Sequence, residues 1–394
     1  MVTVDAGSFL VIVVAAALAA LLAGLIAPRL VVPVVVLELV LGILVGPELL
    51  GLAQADEFVD FFSNLGLGML FFFAGYEIDF ERIRGVPLRL AALGWLLSLA
   101  LAYALGGLLA LAGVVLSLLF TGSALATTAI GTLIPILRDA GELRTRFGTY
   151  LLGAGAMGEF GPILLITLVF STKGALANAA ILIAFVVVAV LAGILAVRSL
   201  GRGWNLIERT LESSSQLAVR VTVVIVFALA ALASELGLDL LLGGFVAGII
   251  LRLALQGREV EVLESKLAAV GYGFLIPFFF VASGVAVDVG ALADDPIRFL
   301  EVPLFLALFL IVRGAPAMLL YRRVLAARDR SALALFSATE LPLVVAITTI
   351  AVEEGHMRPV TAASLVLAAI CSCAIYPIVA LRLRGDAALA AEGA

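Results

Sequence analysis

Long apolar runs alternate with short polar breaks from one end of the chain to the other. Read at the length a bilayer core demands of a helix, about 20 residues, they predict thirteen transmembrane helices. These lie near 8–28, 30–46, 57–76, 88–112, 115–137, 146–171, 175–197, 214–234, 237–255, 269–287, 299–321, 330–353 and 358–381. Most of the connections are short, as compact helix bundles prefer. The first run follows eight residues without Lys or Arg, so it is expected to stay as a span rather than be cleaved as a leader.

Positive charge orients the pattern. With the N-terminus outside, the inner connections carry Arg29; Arg82, Arg84 and Arg89; Arg138, Arg144 and Arg146; Arg198, Arg202, Arg209 and Arg220; Arg252, Arg258 and Lys266; Arg322, Arg323, Arg328 and Arg330; and Arg382 and Arg384. The outer connections carry only Lys173, Arg298 and Arg358. The positive-inside rule thus places the N-terminus outside and the C-terminus in the cytoplasm. A missed or invented helix would scramble the alternation downstream of the error.

Composition agrees. Apolar residues make up 64% of the chain and charged residues 13%, with mean hydropathy +1.24; soluble domains run about 45–50% and about 25%. That excludes an ordinary soluble enzyme and a disordered chain. A net charge of -5 leaves no basic surface for nucleic acid. Cys371 and Cys373 lie in an apolar run and His356, the only histidine, in a polar break, so neither a disulfide framework nor a zinc pattern exists. No cofactor and no enzymatic nucleophile–base pair is expected.

The two halves echo each other. Span 3 reads Phe71-Phe72-Phe73-Ala74-Gly75 and ends at Asp79; span 10 reads Phe278-Phe279-Phe280-Val281-Ala282 and ends at Asp288. Gly42 and Gly46 of span 2 match Gly244 and Gly248 of span 9, and Leu119-Phe120-Thr121-Gly122-Ser123 of span 5 matches Leu335-Phe336-Ser337-Ala338-Thr339 of span 12. Spans 1–6 (1–172) and 8–13 (213–394) therefore form two repeats of opposite topology, joined by span 7 and an inner loop (173–212). Inverted repeats are the mark of secondary transporters, whose sites lie near the midplane between interrupted helices. Spans 5 and 12 are the expected interrupted, crossed pair. Both are rich in Ser and Thr, which re-satisfy freed backbone groups, and Pro342 frees a carbonyl in span 12.

Three charges fall where charge is expensive. Glu159 lies in the middle of span 6, where an ionised side chain costs about 2.5–3.5 kcal/mol on insertion scales. A carboxylate there is poised between a proton and a metal cation. Arg313 lies in the middle of span 11 and keeps its charge, so it needs a buried anion. Glu159 and Glu340, the latter in span 12, are both available. One neutralises Arg313 and the other is free to titrate. Glu38 in span 2 either lines an inner entrance or faces a crevice.

These residues resemble the bacterial sodium/proton exchanger superfamily, in particular the cation:proton antiporter branch that includes potassium efflux systems. The likeness is carried by Val32-Pro33 through Glu38, Gly42 and Gly46-Pro47; Phe72-Phe73-Ala74-Gly75 through Asp79; Ala126-Thr127-Thr128; Leu152-Gly153-Ala154 through Glu159; and Pro277-Phe278-Phe279 through Gly284 and Asp288. The resemblance implies a homodimer in which spans 4–6 and 11–13 form a transport domain that moves against a scaffold built from the rest. It implies Glu159, with Thr127 and Thr128, as the site for the transported Na⁺ or K⁺ and for H⁺. The chain departs from the family at Gly158-Glu159, where relatives carry an acidic pair, Asn-Asp or Gln-Asp, and at Arg313, where electrogenic members carry Lys. Arg cannot surrender a proton as Lys can, so electroneutral exchange is expected. The nucleotide-binding domain of gated potassium-efflux proteins is expected to be lacking. Alternatives are an uncoupled, channel-like cation leak, a cation-coupled symporter of an organic anion, and an inactive sensor or resistance factor.

Overall fold

The computed structural model describes residues 5–26, 33–78, 80–169, 180–189, 191, 215–236, 240–255, 261–293 and 296–392. All regular structure among them is helical. The principal helices are α1 (Ala6–Ile26), α2 (Val34–Val45), α3 (Glu57–Glu77), α4 (Val86–Leu111), α5 (Leu118–Leu125), α6 (Ile130–Asp139) and α7 (Arg146–Val169). They continue with α8 (Leu217–Glu235), α9 (Leu240–Leu255), α10 (Glu261–Val285), α11 (Arg298–Arg323), α12 (Ala327–Ser337), α13 (Pro342–Glu353) and α14 (Pro359–Glu392).

Eight described helices are long and apolar enough to cross a membrane: α1, α3, α4, α8, α10, α11, α12 with α13, and α14. Spans 2, 5, 7 and 9 of the sequence pattern fall on shorter apolar helices. Helix α2 covers Val34–Val45, so it ends within one residue of the expected end of span 2, where Gly46 turns to an extended conformation just before Pro47. Span 7 is described only over Ala180–Ala189. Arg29, Asp79, Lys173, Arg198, Arg202, Arg209 and Arg258 lie outside the described residues.

Local chemistry sets the helix ends. Asp5 opens α1, its carboxylate accepting from Ser8 Oγ at 2.6 Å and Gly7 N at 2.9 Å. These bonds, the hydroxyl's first, hold it below the ordinary carboxylate range. Asp56 caps α3 by accepting from Val59 N at 2.7 Å, satisfying one of the orphan donors of the first turn. Pro342 begins α13, where its missing N–H costs nothing.

The chain divides into two compact units. The first holds Asp56–Asp79 and Ile163–Phe280 as far as they are described. Within it α3 and α9 touch backbone to backbone. A Cβ on Gly75 would lie 2.0 Å from Phe245 O, and one on Gly248 2.0 Å from Phe72 O. Small residues that let backbones meet are how membrane helices associate without a hydrophobic driving force.

The second unit holds Asp5–Ala55, Phe80–Pro162 and Val281–Ala394. Here Gly42 of α2 meets the Val281 carbonyl, a Cβ on it falling 2.2 Å away. A core cluster of Leu133 and Leu137 (α6), Phe147 and Leu151 (α7), Leu333 and Phe336 (α12) and Tyr321 packs the two interrupted helices against α7 and α11. On one rim of this unit, Gly141 (φ +70°) turns the chain out of α6 so that Glu142 reaches Arg384 of α14. The guanidinium donates to both Glu142 oxygens at 2.9 and 3.0 Å and to Asp329 Oδ1 at 2.5 Å.

Candidate functional site

The site lies within the second unit, where two helices break opposite each other. Between α5 and α6, residues 126–129 leave helical geometry; between α12 and α13, residues 338–341 do the same. An interrupted helix leaves N–H and C=O groups without helical partners, and in hydrocarbon each must be satisfied. The breaks satisfy one another. Ala129 N donates to Thr339 O at 2.8 Å, and Thr128 Oγ1 donates to Ser337 O at 2.6 Å. Trp95 of α4 donates its indole N–H to Ala126 O at 3.2 Å.

A third helix joins them. Pro162 lies inside α7 and has no N–H to give the carbonyl four residues earlier. That carbonyl belongs to Gly158, and it accepts instead from Thr128 N at 3.0 Å. Glu159, the next residue, is 1% exposed. On the helical repeat it shares a face with Gly155, where a Cβ would lie 2.5 Å from Ile130 Cδ1 at the start of α6. Glu159 therefore sits beside the break in span 5.

Arg313 comes from α11. A π-helical turn, Leu310–Gly314, carries it, and the side chain is 4% exposed. Such turns concentrate at functional sites. The guanidinium donates to Thr128 Oγ1 (2.9 Å) and Ser337 O (3.4 Å) through Nε, to Ser98 Oγ (3.2 Å) through Nη1 and to Ala154 O (3.1 Å) through Nη2. Among the described residues these acceptors are all neutral oxygens. Gly158 is what admits it: a Cβ there would lie 2.5 Å from both Arg313 Nη2 and Thr128 Oγ1.

Glu340, in the second break, is fully buried. Its Oε2 accepts from Thr127 Oγ1 at 2.9 Å. Its backbone is clamped by Ser372 of α14, which accepts from Glu340 N at 3.0 Å and donates to Glu340 O at 3.1 Å. Thr127 and Thr128 thus face opposite charges from adjacent positions: one holds the carboxylate, the other the guanidinium. Glu340 makes no direct hydrogen bond to Arg313; Thr127 and Thr128 stand between them.

The structure brings Thr127, Thr128, Arg313 and Glu340 into one hydrogen-bonded group, with Glu159 adjoining it through Gly158. Glu38 is buried at 3% exposure on α2 and makes no hydrogen bond to this group. Sequence reasoning missed Trp95, Ser98 and Ser372. Trp95 and Ser98 stand three apart on α4 and so share a helical face, but that spacing does not say what the face meets. Gly158 supplies no side chain, and Arg313 fills the space.

The sequence matches the family model for the sodium/hydrogen exchanger transmembrane domain over residues 16–381. It is 26% identical over 363 residues to YjbQ of Bacillus subtilis, whose assignment as a Na(+)/H(+) antiporter is provisional, covering 86% of this chain and 57% of that one. It is 28% identical to the Na(+)/H(+)-K(+) antiporter GerN of Bacillus cereus, over 66% of each chain. The chain thus spans less than two thirds of the length of either relative. Among solved structures, the sodium proton antiporter MjNhaP1 of Methanocaldococcus jannaschii at pH 8 superposes with a TM-score of 0.67. That match covers 97% of this chain and 96% of that one at 16% identity, a likeness of fold.

Proposed function

Because this chain belongs to the sodium/hydrogen exchanger family, an all-helical integral membrane family, we propose that it exchanges a monovalent cation for a proton by alternating access. Glu159 is the shared site, occupied by H⁺ or by Na⁺ or K⁺ but not by both. The observation that carries this reading is the burial of Glu159 beside the crossed breaks, where hydroxyls and unwound carbonyls supply hard oxygen donors suited to alkali cations. The relative GerN carries both ions in its name, so Na⁺ and K⁺ stand as equal candidates.

The charge pattern supports electroneutral exchange. Arg313 is balanced by Glu340 across the Thr127–Thr128 bridge and stays protonated through the cycle. Gly158 offers no second carboxyl. One proton therefore moves against one cation.

The rest of the proposed architecture takes thirteen spans and two inverted repeats crossing at spans 5 and 12 from the sequence pattern, and a homodimer from the family resemblance. Spans 4–6 and 11–13 move as the transport domain, and the C-terminus faces the cytoplasm of a bacterial inner membrane. The set Thr127, Thr128, Arg313, Glu340 and Glu159 falls within spans 5, 6, 11 and 12, as a moving ion carrier requires.

The test is reconstitution with a trapped pH dye, adding Na⁺, Li⁺, K⁺ and Rb⁺ in turn. Saturable proton movement driven by one or more of them supports exchange. Cation flux without proton movement supports a channel and overturns it. Dependence of the rate on an imposed membrane potential, with net charge moved per turnover, overturns electroneutrality alone.

A further inference from the structure

A small cavity of about 10 Å³ adjoins Arg313 in the second unit, lined by Trp95, Ser98, Ala154, Arg313, Tyr321 and Ser337 among others. That volume is about what one water needs, and a water also needs two to four polar partners. Two of the lining side chains carry hydroxyls that call for one. Tyr321 and Ser337 are each 2% exposed. Neither Tyr321 Oη nor Ser337 Oγ has a hydrogen-bond partner within the protein among the described residues. A buried hydroxyl left unsatisfied is destabilising, and two on one cavity wall point to a shared partner rather than to two separate losses. Ser98 Oγ, on the same wall, already accepts from Arg313 Nη1 and has a proton of its own to give.

We propose that Tyr321, Ser337 and Ser98 hold one buried water against Arg313, which makes Tyr321 a positioning residue for the guanidinium at the crossing. The elements are placed for this. Tyr321 lies in the last turn of α11, two turns beyond Arg313, and is braced edge-on by Tyr150 of α7, ring centroids 5.8 Å apart. Ser337 closes α12, and its carbonyl is already fixed by Thr128 and Arg313. A water here links the end of α11 to the end of α12 and completes the polar shell of a charge that reaches no surface.

The inference concerns the protein's own hydration, and its primary test does not depend on the proposed exchange. In a density map of the full chain at about 2 Å, a water peak within hydrogen-bond distance of both Tyr321 Oη and Ser337 Oγ is expected; an empty cavity overturns the proposal. Tyr321→Phe keeps the ring contact with Tyr150 and removes only the hydroxyl, and Ser337→Ala removes the other. With a shared water, each variant melts below the parent and the double variant loses less than the sum. Without it, deleting an unsatisfied hydroxyl leaves the melting temperature unchanged or raises it, which overturns the proposal. In proteoliposomes, Tyr321→Phe should also move the pH of half-maximal exchange, and an unmoved profile overturns the positioning role. A parent protein that shows no exchange at all would instead count against the proposed function.

Discussion

Gly158→Ala tests the seating of Arg313 with a single added methyl group. The new Cβ would lie 2.5 Å from Arg313 Nη2, 2.5 Å from Thr128 Oγ1 and 2.7 Å from Thr128 Cβ. Reaching ordinary van der Waals contact needs displacements of about 1 Å. Neither neighbour can give freely. Thr128 is held by its N–H to Gly158 O, its hydroxyl to Ser337 O and its acceptance from Arg313 Nε. Moving Nη2 stretches its 3.1 Å bond to Ala154 O. Losing a hydrogen bond to a charged group costs about 1.5–3 kcal/mol, and overpacking a core costs about 1–3 kcal/mol. These are two estimates of one event, so a loss of about 2 kcal/mol is expected, read as a lower melting temperature in detergent beside the parent. Arg313→Lys removes Nη2, so the double variant Gly158→Ala/Arg313→Lys should lose less than the sum of the singles, by about 0.5–3 kcal/mol. A Gly158→Ala protein that melts with the parent, or strict additivity with Arg313→Lys, would refute the placement of the guanidinium against Gly158.

Three further outcomes are expected. Arg313→Ala leaves Glu340 buried without its compensating charge and should destabilise by about 3–5 kcal/mol; thermal melts should recover in Arg313→Ala/Glu340→Gln, and no recovery would assign the compensation elsewhere. Arg384→Ala removes three charge-assisted hydrogen bonds to Glu142 and Asp329 and should lower stability by about 1–3 kcal/mol. High salt, which screens partly exposed pairs, should narrow that gap between parent and variant. Gly248→Ala pushes a methyl to 2.0 Å from Phe72 O, a backbone atom that cannot rotate away, so folded yield should fall sharply; wild-type yield and melting would contradict the close approach of α3 and α9.

The interruptions were legible because their chemistry is local. Thr127 and Thr128, then Thr339 and Pro342, announce backbone that must find partners outside its own helix. The buried charges were legible because no apolar run tolerates Glu159, Arg313 or Glu340 by accident. Boundaries were set where short-range geometry decides: α5 ends at Leu125, at the break inside span 5, whereas α2 ends at the Gly46-Pro47 turn as its sequence expects. What distance in the chain hides is pairing. Nothing around Ser98 says that it meets Arg313, and nothing around Ser372 says that it clamps Glu340. The π-helical turn that aims Arg313 also leaves no mark in hydrophobic periodicity, because one extra residue in a stretch apolar on all sides but for that arginine changes no pattern. Gly158 is the clearest case: a residue without a side chain carries no chemistry to read until the group that fills its space is seen.

The central claim is tested most directly by cation pulses applied to dye-loaded proteoliposomes containing either the parent protein or Glu159→Gln, with both proteins shown to melt alike. Proton movement on addition of Na⁺ or K⁺ for the parent, and none above protein-free vesicles for Glu159→Gln, is the predicted result. Cation-driven proton movement retained by Glu159→Gln would contradict the account.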